Sequence, residues 1–147
     1  MTAAIVGVDV GGTTTAAGVV TRDGDVVVDE SAPTRGKAPA DPLAAISALI
    51  RKVSDEAARR PRSIDAIGVG VPGPVDAARG RVGEPVIHVP ELEGRPLADE
   101  LTAEFGLQMI DATGDIMSQQ KIVRRMARTM LHGYDGPRER RNSDGAS

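Results

Sequence analysis

An apolar run near the start of the chain ends in two glycines, and a second extended run follows them at once. Residues 3–10 are rich in Val and Ile, which is the pattern of a strand covered on both faces. Residues 13–21 resume extended character directly after Gly11-Gly12, and a polar turn at residues 22–25 precedes three consecutive valines. This pattern predicts three consecutive antiparallel strands joined by tight turns.

A helix and a fourth strand are expected next. Asp41-Pro42 has the N-cap residue and first-turn proline of a helix, and an apolar stripe at helical spacing continues to residue 57. Residues 64–71 form another apolar run, and because a helical crossover leads to them, their strand is expected to be parallel to its neighbour. The order βββαβ indicates an α/β domain with a mixed sheet.

The stretch that follows the fourth strand is rich in Gly and Pro. Residues 72–90 cannot be regular throughout, although a short strand is expected at residues 85–89. A second helix is predicted from Pro96 to Gly106, because apolar residues recur there every four positions and glycine is a common helix terminator. The full predicted order is βββαβ(β)α.

The composition changes after residue 107. Fifteen valines precede this point and only Val123 follows it. We therefore divide the chain into a lobe at residues 1–107 and an atypical tail at residues 108–147. Within the tail, the pattern predicts a helix at residues 115–131 and a disordered C-terminus.

Composition also excludes several classes of function. The 147-residue chain has no Cys, which excludes disulfides and thiolate zinc sites and favours the reducing cytoplasm. One Phe and one Tyr leave almost no material for base-stacking platforms, so no nucleic-acid partner is expected. No apolar run approaches the ~20 residues that span a bilayer, so we expect no membrane partner.

The diglycine and its neighbours are the first candidate site. Asp9-Val10-Gly11-Gly12-Thr13-Thr14 places bare amides and hydroxyls where phosphates can lie, because glycine has no Cβ to block their approach. Asp9 is expected to hold Mg²⁺ through water, since this ion takes few protein carboxylates, and Thr13 and Thr14 to face the phosphates. The alternative is a plain hairpin turn whose glycines supply positive φ. A Walker A loop is excluded, because its Lys is missing and a strand follows the glycines.

A second glycine-rich motif follows the fourth strand. Gly68-Val69-Gly70-Val71-Pro72-Gly73 fits the dinucleotide fingerprint by its letters. That fingerprint works by placing a pyrophosphate on a helix N-terminus, and no helical periodicity follows Gly73. We therefore reject a Rossmann interpretation.

Three motifs together resemble one family. They are DVGGT at residues 9–13, GVGVPGPVD at residues 68–76 and GRPL at residues 94–97. In this order, within residues 4–107, they resemble the ROK family (repressors, unnamed reading frames and kinases), which includes bacterial glucokinases. The resemblance implies an actin-like, ribonuclease-H-like lobe, ATP with Mg²⁺, and transfer of the γ-phosphoryl group to a hexose. It assigns the phosphate site to Asp9, Gly11, Gly12 and Thr13, and the border of the sugar cleft to Pro72, Gly73 and Pro74.

The sequence departs from the family pattern after the second helix. Family members carry Asn-Asp-Ala there, with the Asp as general base, whereas this chain has Ile110-Asp111-Ala112. Asp111 is the candidate base, and a solvated loop or helix-cap Asp is the alternative. The loop at residues 90–94 reads PELEG where the family commonly has Asn-Leu-Pro-Gly-Trp. No zinc is expected, since the family's Cys/His site has no counterpart here.

Three functions remain open at this stage. The first is an ATP-dependent hexose kinase that is truncated or altered in reading frame after residue 107 and is inactive alone, because phosphoryl transfer needs a complete cleft. The second is a non-catalytic binding module, with homo-oligomer formation left open. The third is a sugar-responsive regulator without its DNA-binding segment. Family members that repress transcription carry a helix-turn-helix segment ahead of this lobe. Because the lobe begins here by Ala4, the resemblance favours the kinase over the regulator.

Overall fold

The computed structural model describes residues 2–36 and 41–106. The predicted order of three strands, a helix, a fourth strand and a final helix is confirmed there. The predicted tail at residues 108–147, including its helix at residues 115–131, lies outside the described residues. In chain order the elements are β1 (Thr2–Val10), β2 (Thr14–Thr21), β3 (Val26–Pro33), α1 (Pro42–Ala57), β4 (Arg62–Gly70), β5 (Val75–Asp76), β6 (Arg81–Val82), a 3₁₀ helix (Pro90–Leu92) and α2 (Leu97–Phe105).

The main sheet has the strand order β3-β2-β1-β4. The hairpin partners β1 and β2, and likewise β2 and β3, are antiparallel, whereas β4 is parallel to β1, as predicted from the helical crossover. In the parallel pair, Asp9 lies opposite Gly70. Because both strands run in the same direction, the loops that follow Val10 and Gly70 leave the same edge of the sheet side by side.

Helix α1 begins where the sequence predicts. The Asp41 carboxylate accepts a hydrogen bond from the Leu43 amide at 3.0 Å, and Pro42 occupies the first turn. The helix packs on β1, β2 and β3. Burial of each large apolar side chain stabilises the fold by about 1.5–3 kcal/mol, so this face is a major part of the core. Its buried apolar residues are Ile46, Leu49, Ile50, Val53 and Ala57.

The strand predicted at residues 85–89 is wrong. The Val86 amide donates to the Glu93 carboxylate at 2.8 Å, and the Val89 amide donates to the Val86 carbonyl at 3.1 Å. Neither amide is therefore free for a strand ladder, and Pro85 has no N–H to give. The segment turns back on itself towards the 3₁₀ helix, and the short hairpin is formed by β5 and β6 instead.

Helix α2 ends at Gly106, as predicted. Gly106 has a left-handed φ of 66°, a conformation in which a glycine terminates a helix without strain. The Ser47 hydroxyl of α1 donates to the Glu104 carboxylate of α2 at 2.6 Å, which joins the two helices. Neither helix in the part of the chain that the structure describes is long and apolar enough to cross a membrane.

Candidate functional site at the sheet edge

The residues predicted for the phosphates and for the sugar lie at the same edge of the sheet. Asp9 is the penultimate residue of β1, and its partners in register, Ala16 and Gly70, are both small. The Asp9 side chain is exposed. The loop of residues 72–74 begins two residues after β4 ends. The structure thus brings two predicted groups together, whereas Asp111 lies outside the described residues.

The two glycines form a bend in which the chain approaches itself closely. The Gly11 amide donates to the Thr14 carbonyl at 3.0 Å, and a Cβ on Gly11 would lie 2.4 Å from that oxygen. A Cβ on Gly12 would lie 3.0 Å from Cβ of His88. Neither glycine has a left-handed φ, so the positive-φ explanation of a plain hairpin turn does not apply. Gly11 is required because the Thr14 carbonyl leaves no room for a Cβ, whereas a Cβ on Gly12 would make a tight contact with His88.

Two residues that follow β3 hold the carbonyls of this bend. The Thr34 hydroxyl donates to the Gly11 carbonyl at 2.6 Å, and Nη1 of Arg35 donates to the Gly12 carbonyl at 2.8 Å. The Thr34 hydroxyl also lies 2.9 Å from the buried Thr15 hydroxyl. In addition, the Thr34 amide donates to the Thr13 carbonyl at 2.8 Å. Three consecutive carbonyls of the bend are therefore held by Thr34 and Arg35.

Fixing the carbonyls also fixes the direction of the next amides. In a trans peptide the N–H points opposite to the C=O of the same peptide unit. The amides of Gly12 and Thr13 therefore point away from Thr34 and Arg35. Within residues 2–36 and 41–106, neither amide donates to a backbone or side-chain acceptor. Two adjacent amide donors, three and four positions after Asp9, are thus without an acceptor among the described residues.

The Arg35 guanidinium joins this bend to a distant part of the chain. Besides the Gly12 carbonyl, its Nη2 donates to the His88 carbonyl at 3.0 Å. Nε and Nη2 donate to the two carboxylate oxygens of Glu91 at 2.7 and 3.1 Å. These hydrogen bonds raise the pKa of Arg35 and lower the pKa of Glu91, so both side chains are charged at neutral pH.

The segment of residues 86–92, which we call the bridging segment, also contacts the predicted sugar loop. A Cβ on Gly73 would lie 2.9 Å from Cγ2 of Val86, so Val86 lies against this loop. Outside the bridging segment, the Gly83 amide donates a hydrogen bond to the Pro74 carbonyl at 2.8 Å. One anchored segment therefore touches both loops at the sheet edge. Its fully buried anchors are Val86, Val89 and Leu92.

Asp9 is predicted to hold Mg²⁺ through water, and its side chain is exposed near the end of β1. Within the described ranges 2–36 and 41–106, no three His, Asp or Glu side chains lie together as a metal cluster. One exposed carboxylate is compatible with an Mg²⁺ ion that keeps most of its waters, since this ion takes few protein carboxylates. The role of Asp9 as a magnesium ligand stays a prediction.

Sequence reasoning missed four residues of this arrangement, namely Thr34, Arg35, His88 and Glu91. They come from two segments more than fifty residues apart, and neither has a recognisable spacing. The one available signal was the PELEG sequence, which replaces the usual family loop and contains Glu91.

Comparison with known proteins gives a consistent result. A family model described as the ROK family matches residues 5–127. A glucokinase of Streptomyces coelicolor is 35% identical over 107 residues, which are 71% of this chain and 31% of that protein. A ROK family glucokinase from Streptomyces griseus, solved with glucose and AMPPNP, has a TM-score of 0.59 and 30% identity over 73% of this chain and 32% of its own. A ROK hexokinase from Thermus thermophilus has a TM-score of 0.57 and 30% identity over 71% of this chain and 33% of its own.

The chain spans 31% to 33% of the length of these relatives. The similar structures are ROK sugar kinases, so the actin-like α/β fold expected from the sequence is confirmed for the matched part. The family match covers most of the chain and includes Asp111. The chain belongs to the ROK family.

Proposed function

We propose that the chain is the phosphate-binding lobe of a sugar kinase that transfers the γ-phosphoryl group of MgATP to a hexose. The observation that carries this proposal is the pair of amides at Gly12 and Thr13 that have no acceptor among the described residues, in the bend that follows the strand bearing the exposed Asp9. Glucose is the favoured hexose, since one relative is a glucokinase and another was solved with glucose and AMPPNP.

In this proposal the bend formed by residues 11–13 binds the phosphate chain. Backbone amides that already point in one direction bind an anion without further ordering of the backbone. The exposed Thr13 and Thr14 side chains add hydroxyl donors at the start of β2. Asp9 would hold Mg²⁺ through water, and the ion would supply positive charge that offsets part of the negative charge of the phosphates.

The sugar side is built by the loop of residues 72–74. Its prolines restrict the conformations that must be ordered when a ligand binds. The contact of Gly73 with Val86 limits the movement of this loop. We assign the general base to Asp111, which would accept the proton of the attacking hydroxyl.

We propose that this 147-residue chain binds nucleotide but does not catalyse phosphoryl transfer by itself. Phosphoryl transfer depends on positioning and charge stabilisation from both sides of a cleft, and the matched part is about a third of the kinases that it resembles. A non-catalytic module is the second candidate, because the outer edge of β4 pairs with no other strand among the described residues. Such an edge can accept a strand from another chain, including a second copy.

Two measurements on the full chain test the proposal. Calorimetric titration with MgAMPPNP is expected to show binding that Asp9→Asn weakens about tenfold, equivalent to ~1.4 kcal/mol, in the presence of magnesium. Asp55→Asn, an exposed carboxylate on α1, is the matched control and is expected to change nothing. A coupled assay with ATP, Mg²⁺ and glucose is expected to show no turnover. Absence of nucleotide binding by the unmodified chain would contradict the phosphate site, and sustained turnover would contradict the predicted inactivity.

A further inference from the structure

We propose that Arg35 is a positioning residue that holds the phosphate-binding bend and the bridging segment in a fixed relation. The bend comprises residues 11–13, and the bridging segment comprises residues 86–92. This inference rests on the function proposed above, because it assigns a role in nucleotide binding to a residue that does not itself contact the phosphates.

The hydrogen bonds of the guanidinium show why Arg35 positions the bend rather than binding the phosphates itself. An arginine has five N–H donors in a planar fork. Four of them are used, by the Gly12 carbonyl, the His88 carbonyl and both carboxylate oxygens of Glu91. The positive charge is paired with Glu91 at short distance. Little donor capacity therefore remains for a ligand.

The effect of Arg35 on the Thr13 amide is direct. Its bond to the Gly12 carbonyl fixes the peptide unit whose N–H belongs to Thr13. Thr34 fixes the preceding unit through the Gly11 carbonyl. When the Arg35 bond is lost, the Gly12–Thr13 peptide unit loses the side-chain donor that holds its carbonyl, and the direction of the Thr13 amide is less restricted. Part of the backbone ordering must then occur when the phosphates bind.

We call the hydrogen bonds of Arg35 to the bend and to the bridging segment the clamp. The bridging segment is the part of the clamp that is anchored in the core. Its buried valines and Leu92 anchor it in the core, and its His88 lies against Gly12. Glu91 holds the guanidinium through both oxygens, which is the geometry that a carboxylate and an arginine fork make best. Because the same segment lies against Gly73, the clamp also fixes the bend relative to the predicted sugar loop.

The exposure of the Arg35–Glu91 ion pair indicates that the pair acts mainly on the geometry of the bend and less on the stability of the chain. The Arg35 and Glu91 side chains are 40% and 36% exposed. Ion pairs at such exposure contribute little to stability, because water and salt screen them. A lysine cannot replace the arginine, since one ammonium cannot reach three acceptor groups in a planar arrangement. Loss of the fork should therefore change ligand affinity more than the unfolding temperature.

The test compares nucleotide affinity with thermal stability in the full chain. MgAMPPNP is titrated calorimetrically into the unmodified chain and into Arg35→Ala, Arg35→Lys and Glu91→Gln, and the melting temperature of each is recorded. Arg51→Ala is the matched control, because it also removes an arginine–glutamate bridge, here between α1 and Glu104 of α2. The Arg35 variants are expected to bind MgAMPPNP about tenfold more weakly, Glu91→Gln to be intermediate, and Arg51→Ala to bind as the unmodified chain does.

The outcomes separate this inference from the function on which it rests. Equal affinity in the unmodified chain and in both Arg35 variants would overturn the positioning role and leave the phosphate site in place. A lowered melting temperature with unchanged affinity would show that Arg35 is merely structural. If the unmodified chain does not bind MgAMPPNP, the proposed function and the inference both fail. Should Arg35→Ala not fold, Arg35→Lys and Glu91→Gln decide the question.

Discussion

Replacement of Gly11 by alanine should destabilise the chain strongly, although the added group is one methyl. A Cβ at this position would lie 2.4 Å from the Thr14 carbonyl oxygen, whereas Cβ contacts below 3.0 Å are essentially never observed. The bend must therefore open by roughly half an ångström, and the oxygen that must move is the one that accepts the Gly11 amide. Overpacking of this kind and loss of one hydrogen bond together cost about 2–4 kcal/mol.

Gly68 offers the matched control for this substitution. A Cβ on Gly68 would meet no atom within 4 Å in the structure as described, and its φ is not left-handed. Gly68→Ala should therefore leave stability unchanged or raise it by about 0.4–1 kcal/mol, because alanine reduces the freedom of the unfolded chain. Urea unfolding monitored by circular dichroism measures both variants. The reasoning is refuted if Gly11→Ala unfolds within ~0.5 kcal/mol of the unmodified chain, or if Gly68→Ala is equally damaging.

Three further predictions concern the residues that support the bend. Leu92→Ala should cost about 2–5 kcal/mol in urea unfolding because Leu92 is fully buried, whereas Ile87→Ala, at 77% exposure, should change stability by less than ~0.5 kcal/mol. Thr34→Val should cost about 1–3 kcal/mol, because the Gly11 carbonyl loses its hydroxyl donor, and Thr34→Ser should retain most of the stability; similar unfolding midpoints for both would contradict this. Because Arg35 lowers the pKa of Glu91, the ionised carboxylate stabilises the folded chain above the ordinary pKa range of a glutamate, and this contribution is lost as the pH falls through the lowered value. Because the pair is exposed, the difference in melting temperature between the unmodified chain and Glu91→Gln should be small at neutral pH and should shrink in acid; a difference that grows as the pH falls would contradict this.

Local sequence signals predicted most of the described fold. The Asp41-Pro42 start of α1 and the Gly106 end of α2 depend on contacts within one or two turns of the chain, and both are found as expected. The parallel placement of β4 follows from the handedness and length of a helical crossover, which hold for almost any sequence. These features needed no knowledge of distant contacts.

The error at residues 85–89 has a different origin. Val86 and Val89 have high strand propensity, but propensity reflects how a side chain fits a half-buried surface and does not fix the partner of its amide. Here the Val86 amide bonds to the Glu93 side chain, and both valines point into the core from a turn. Tertiary burial therefore decided the conformation.

The site was predictable only in part for the same reason. The diglycine bend was visible because its residues are adjacent in sequence, and the structure accounts for its glycines by close contacts with Thr14 and His88. The clamp of Arg35 on Glu91 joins residues 56 positions apart, and no local pattern encodes such a pair. The roles of the bend, the sugar loop and Asp111 in catalysis remain predictions.

The central claim is that the amides of Gly12 and Thr13 bind the phosphates of a nucleotide, and a titration followed by two-dimensional ¹H–¹⁵N NMR tests it most directly. Addition of MgAMPPNP to the labelled full chain should move the resonances of these two amides. The Gly24 amide, which donates to the Thr21 carbonyl in a separate turn, should stay in place. If calorimetry shows that MgAMPPNP binds while the Gly12 and Thr13 resonances do not move, the nucleotide binds elsewhere and the account of the site is wrong.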